Sequence, residues 1–256
     1  MNSDEKNPLR MVIDPYAGDF FVLPDTPCTQ ERRLWFRRAK EILGFLSTSE
    51  MALIECRNKY QDAFSKPPIK YDTPIRIESI DGRILVTTSA NVITLIGNGI
   101  DVLCRQVFVM LYGSLETYIY DLMARSFPKI GVSNNILDCS REIMMKHKWD
   151  GKFCKISDTF DLNYRASDLM NYFKDFEMAF EGKTFKHPLA FLDELAQVRH
   201  RIVHASSIID KGRYIFVNPE AVGSYFAFSA LLTDFIDGLF GKKFGYVRDR
   251  INPAVA

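Results

Sequence analysis

Cysteine is too sparse and scattered in this chain to staple it. The five cysteines (Cys28, Cys56, Cys104, Cys139 and Cys154) are odd in number and include no CxxC pair. That pattern predicts free thiols in a reducing cytosol and excludes a disulfide framework or a cysteine zinc cluster. Neither sign of charge is in excess, with 33 Lys+Arg against 32 Asp+Glu and a net charge of +1. The whole molecule is therefore no polycation, and any nucleic-acid contact must come from a local patch. Uncharged apolar runs of about 18 residues are missing, so no membrane span is expected. The start, Met-Asn-Ser-Asp-Glu-Lys, lacks the basic and apolar regions of a signal peptide. These absences together predict a cytoplasmic protein, and no internal repeat or low-complexity tract qualifies that reading.

What the chain does contain is helical periodicity. Residues 1–30 carry Pro8, Pro15, Pro24 and Pro27 and read as an extended arm. Thr29 then opens an N-capped helix, acidic at its third position, that continues to about Phe64, with Gly44 or Ser47-Thr48-Ser49 as a break and Pro67-Pro68 as its end. Between Pro74 and Thr88, isoleucines and Val86 flank Asp81-Gly82, which predicts a small β-hairpin. Gly97-Asn98-Gly99 is expected to separate that region from a helix of about 27 residues carrying Ile100, Leu103, Val107, Leu111, Leu115, Tyr118 and Leu122 at three-to-four spacing, closed by Pro128. Further helices are expected at 133–147, 167–181, 188 to about 205 and 219 to about 240, with 148–165 an irregular connection and 211–217 a turn and short extended piece. Gly182 is read as a helix stop and Pro188 as a first helical position. The expected organisation is residues 1–96 as an N-terminal arm, helix and hairpin, and residues 97–256 as a helical domain.

The stretch Gln197-Val-Arg-His-Arg-Ile-Val-His-Ala-Ser206 carries the chemistry. His200 and His204 are four apart and share a helix face. Arg199 lies about 140° from His204 around the axis, within the swing of a long guanidinium. An imidazole can take a proton from a ribose 2′-hydroxyl or give one to a leaving 5′-oxygen, because its ordinary pKa is near the working pH. Arginine can grip a phosphate bidentately and stabilise the charge that builds in the transition state.

Arg199-His-Arg-Ile-Val-His204 resembles the signature of the HEPN superfamily, R-x4–6-H with a polar residue after the arginine. The resemblance spans about residues 98–240. It implies an up-and-down helical bundle and a metal-independent endoribonuclease, of the kind found in toxins and anti-phage factors, in which two copies bring their motifs to one cleft. It further implies that Arg199 holds the scissile phosphate, His204 acts as acid or base, and His200 orients one of these. Glu116 is the implied acidic residue of the preceding long helix, with Asp121 second. A tyrosine two residues after the histidine, the target of modification in one subgroup, is replaced here by Ser206. The expected partners are an RNA substrate, a second copy and an antitoxin or regulatory protein; no cofactor and no metal are expected.

Plainer readings stand beside these. Arg199, His200 and His204 can be a polar helix end whose cations suit the helix dipole. His200 and His204 can be two metal ligands, although an HExxH glutamate is lacking. Glu116 can be an ordinary flank residue. Arg32, Arg33, Arg37 and Arg38 around Trp35-Phe36 can bind RNA backbone with the aromatics stacked on bases, or can be a solvated face with its aromatics tucked inward. His147 and His187 read as surface or capping residues. The alternative to the enzyme is a non-catalytic module binding RNA, a nucleotide or a protein.

Overall fold

The computed structural model describes residues 28–64, 74–78, 82, 84–146, 148–180, 182–204, 209–210, 213–214 and 217–246. The arm expected over residues 1–30 therefore falls almost wholly outside the described residues, as do Pro67-Pro68, Asp81, His147 and Ser206. The fold is mainly α with one hairpin of two five-residue strands and two minimal strand pairs. Thr29 caps α1 (Gln30–Phe64) by accepting a hydrogen bond from the Arg32 amide at 3.3 Å, and α1 runs unbroken through Gly44 and Ser47-Thr48-Ser49. β1 (Pro74–Glu78) pairs antiparallel with β2 (Ile84–Thr88), and Gly82 takes φ +79 between them, a conformation glycine adopts without steric cost.

No break occurs at Gly97-Asn98-Gly99. α2 (Ser89–Ser126) runs straight through it, starting at the Thr88 N-cap. Two mid-helix glycines cost about 1 kcal/mol each relative to alanine, but Gly99 lies on α1, where a Cβ would meet Leu53 at 3.7 Å. Tertiary contact overrides local propensity here. The two helices are antiparallel: Arg125 pairs with Glu31 at 2.7 Å and Arg38 with Asp121 at 3.7 Å. By length and composition α2 is apolar enough to cross a membrane. Its residues from Cys104 to Met123 nonetheless supply the centre of the core, with Val107, Phe108, Leu115 and Leu122 fully buried.

The connection expected to be irregular holds a helix. α3 (Ile136–Met144) is followed by α4 (Trp149–Phe160), whose Trp149, Phe153, Ile156 and Phe160 are buried at helical spacing. In contrast, the helix expected over 167–181 is short. α5 (Ala166–Tyr172) stops because Phe173 and Phe176 turn inward onto Phe228, at 5.1 and 6.1 Å between rings. β3 (Ala179–Phe180) and β4 (Lys183–Thr184) then form a minimal hairpin, and Gly182, at φ +75, serves its turn instead of ending a helix.

α6 (Pro188–His204) buries Phe191, Leu192, Leu195 and Val198 against the core, each contributing roughly 1.5–3 kcal/mol of burial. Its first turn is capped by His187, whose Nδ1 accepts from the Leu189 amide at 3.2 Å. β5 (Ile209–Asp210) and β6 (Arg213–Tyr214) lead to α7 (Pro219–Phe244), capped by Asn218 and closed by Gly245 in the left-handed region. α7 lies parallel to α2, with Tyr225 stacked on Tyr112 and Tyr118 donating to the Thr233 carbonyl. It lies antiparallel to α1, where Asp237 accepts from both Thr29 and Tyr118.

Candidate functional site

Helix geometry sorts the motif residues onto two faces of α6. The buried stripe centres on Leu195, Val198 and Ile202. At about 100° per residue, Arg199 falls on the flank of that stripe, whereas His200 and His204 fall on the outer side. Burial agrees: Arg199 is half-buried and both histidines are exposed. The two imidazoles meet each other, ring centroids 4.5 Å apart and tilted by 44°. The Arg199 charge instead acts on Glu116 and Tyr112 of α2, favouring the ionised forms of both. Among the described residues Arg199 makes no ion pair or hydrogen bond, and its Nε is shielded from solvent without an acceptor.

Around Glu116 a polar junction joins α2, α4 and α6. Lys152 of α4 approaches the Glu116 carboxylate at 3.9 Å, with only 10% of its side chain exposed against 29% for Glu116. The Lys152 ammonium also sits 4.2 Å from the centroid of the Trp149 ring, a cation–π contact. Trp149 ties the three helices: its indole N–H donates to the Tyr112 hydroxyl at 2.8 Å, and its backbone N–H donates to Asp193 of α6 at 2.8 Å. Burial pushes the Glu116 carboxyl above the usual range, outweighing Lys152 and Arg199, which pull it down. Burial likewise pushes the Lys152 ammonium down, outweighing Glu116 and Asp193. For both partners desolvation exceeds the pairing, as expected of a long ion pair drawn out of water.

The structure thus places Glu116 against Lys152 within the field of Arg199, and His200 onto His204, at two separate places in one chain. Asp121, five residues further along α2, is directed to Arg38 of α1 instead. The basic residues of α1 divide similarly. Arg32 is buried in an ion pair with Asp234, which takes it off the outer face, and Arg33 is half-buried beside Cys28. Trp35 is buried and stacked on Phe226 at 5.8 Å, with Phe36 edge-on to both. Arg37 and Arg38 remain exposed.

Tyr112, Trp149, Lys152 and Asp193 were not singled out from the sequence. Asp193 carried a usable signal, since it lies seven and eleven residues before His200 and His204 and so shares their face. Lys152 and Trp149 carried none once their segment was read as irregular. Among the described residues no three His, Cys, Asp or Glu side chains gather as a metal-ligand set. An apolar cavity with room for about one water lies elsewhere, between α2, α4 and α7, lined by Ile119, Phe153, Tyr164, Ile236 and Phe240. Comparison with family models, curated proteins and solved structures finds no match to this chain.

Proposed function

We propose that this chain is a metal-independent endoribonuclease that cleaves RNA by attack of a ribose 2′-hydroxyl on the adjacent phosphodiester, leaving a cyclic 2′,3′-phosphate. The observation that carries the reading is the exposed His200–His204 pair at the end of the same helix that holds Arg199 within the field of Glu116. In the proposed step, a neutral imidazole takes the 2′-hydroxyl proton and the 2′-oxygen bonds to phosphorus. The bond to the 5′-oxygen breaks as a protonated imidazole gives that oxygen a proton, while a guanidinium binds the non-bridging oxygens. His204 is assigned the acid–base role, His200 orients it, and Arg199 holds the phosphate.

Because the Arg199 guanidinium lies half-buried on the flank of α6 with its Nε shielded, while His204 is exposed on the outer face, a single chain does not offer both to one phosphate. The proposal therefore includes a symmetric homodimer in which each copy supplies part of a shared cleft. A toxin or phage-defence setting, with an antitoxin or other regulatory partner in the cytoplasm, follows from the HEPN resemblance alone. The test is cleavage of single-stranded RNA by wild type, Arg199→Ala and His204→Ala. Both variants should keep the helical circular-dichroism spectrum and lose about 10² or more in kcat/KM, the scale of a lost acid–base or phosphate-binding group. If both cut like wild type, the assignment is wrong.

A second reading is supported by that divergence of Arg199 from the two histidines: the motif then belongs to a non-catalytic module that binds RNA, a nucleotide or a protein. It predicts retention of RNA by wild type without cleavage at any enzyme concentration.

A further inference from the structure

We infer that Lys152 is a positioning residue for the proposed RNA site, which rests on the ribonuclease reading: by occupying the Glu116 carboxylate it leaves the Arg199 guanidinium free for a phosphate. Three observations carry this. Glu116 has one cation in contact, the Lys152 ammonium at 3.9 Å on α4, although a second, Arg199 on α6, lies within its field. Arg199 makes no ion pair among the described residues and keeps its Nε out of water without an acceptor. Lys152 is itself held by Trp149, 4.2 Å beneath the ammonium, and Trp149 is fixed to Tyr112 and Asp193 on the two neighbouring helices.

Lys152 and Arg199 compete for the Glu116 carboxylate. A half-buried carboxylate is costly unless a cation stands against it. With Lys152 removed, Arg199 is the positive charge that still acts on Glu116, and an arginine–carboxylate pair is the stronger, two-bonded arrangement. The guanidinium would then be spent inside the protein, and a phosphate would have to displace a carboxylate to reach it. Tyr112, Tyr120 and Tyr225 also lie within the Glu116 field, and Asp193 in that of Lys152, but none supplies a compensating positive charge. Lys152 is too enclosed to touch RNA itself. Its effect is on binding, through Glu116.

The experiment measures binding of a short single-stranded RNA carrying 2′-O-methyl groups, which prevent cleavage, to the full chain by fluorescence anisotropy. Lys152→Met should weaken Kd about tenfold, the scale of one competing charge pair. Lys152→Arg should stay within about twofold of wild type, because the counter-charge is kept. The decisive arm is Lys152→Met with Glu116→Gln: removing the competitor should restore Kd to within about twofold. An unchanged Kd in Lys152→Met, or a double variant as weak as the single one, overturns the inference. Arg199→Ala separates the two levels. If it too binds like wild type, or wild type binds no RNA, the site reading falls and the inference with it; if Arg199→Ala weakens binding while Lys152→Met does not, only the inference falls.

Discussion

Replacing Trp149 by phenylalanine tests whether one side chain joins the helices around the candidate site. The indole is fully buried and donates to the Tyr112 hydroxyl at 2.8 Å. Exchange for the smaller ring should cost about 1.5–2 kcal/mol in lost packing, about half the cost of truncating a buried tryptophan to alanine. The lost hydrogen bond adds about 1 kcal/mol, for a total near 3 kcal/mol. For a chain of this size that lowers Tm by roughly 6–12 °C. Tyr112→Phe should cost about 2 kcal/mol by leaving the indole N–H buried without an acceptor. The double variant should be less destabilised than the sum by about 1 kcal/mol, because either change alone already breaks the shared bond. Urea unfolding followed by circular dichroism measures all three. Strict additivity, or a loss below about 1 kcal/mol for Trp149→Phe, would refute the tie and leave α4 loosely attached.

Asp237 is fully buried and accepts from the Thr29 amide and hydroxyl and from Tyr118; Asp237→Ala should therefore cost about 3 kcal/mol or more by stranding the two Thr29 donors, read from the same urea transitions. Glu116 gives a pH signature. Its folded pKa is raised, so protonation favours the fold: its contribution is fully present below the unfolded pKa and lost as pH rises through the folded value. Wild type should accordingly gain stability relative to Glu116→Gln as pH falls through that window, and a parallel pair of Tm-versus-pH curves would contradict it. On α1, Arg37→Ala with Arg38→Ala should weaken RNA binding several-fold and reduce its salt dependence if that exposed face tracks a backbone; an unchanged salt slope would assign those residues to solvation alone.

The elements that were legible carried their own boundaries. Thr29 caps α1, Asn218 caps α7, and Gly82 sits between the paired strands at φ +79, so local chemistry was sufficient. The misreadings share a cause. At Gly97-Asn98-Gly99 and at 149–160, glycine and charge outvoted a helix that is held by packing, on α1 in one case and through Trp149 and Phe153 in the other. At Phe173 the reverse happened: a helical pattern stopped because two aromatics reached Phe228 only by leaving the helix.

The site divides along the same line. Arg199, His200 and His204 lie within six residues and were readable as one helix end, and Glu116 was placed by resemblance. Spacing from the buried stripe of α6 gives the face each side chain takes, but it could not say that the flank carrying Arg199 comes within the field of Glu116 of α2. Lys152, Trp149, Tyr112 and Asp193 come from three helices, joined across separations of 37 and 44 residues. Only tertiary structure brings them together.

The most direct test of the functional claim is incubation of wild-type protein with single-stranded RNA in excess EDTA, with the product ends identified by mass spectrometry. The account predicts cleavage in chelator and fragments ending in a cyclic 2′,3′-phosphate, which only 2′-hydroxyl attack leaves. Intact RNA, or cutting that requires a divalent metal and leaves a 5′-phosphate, would contradict it.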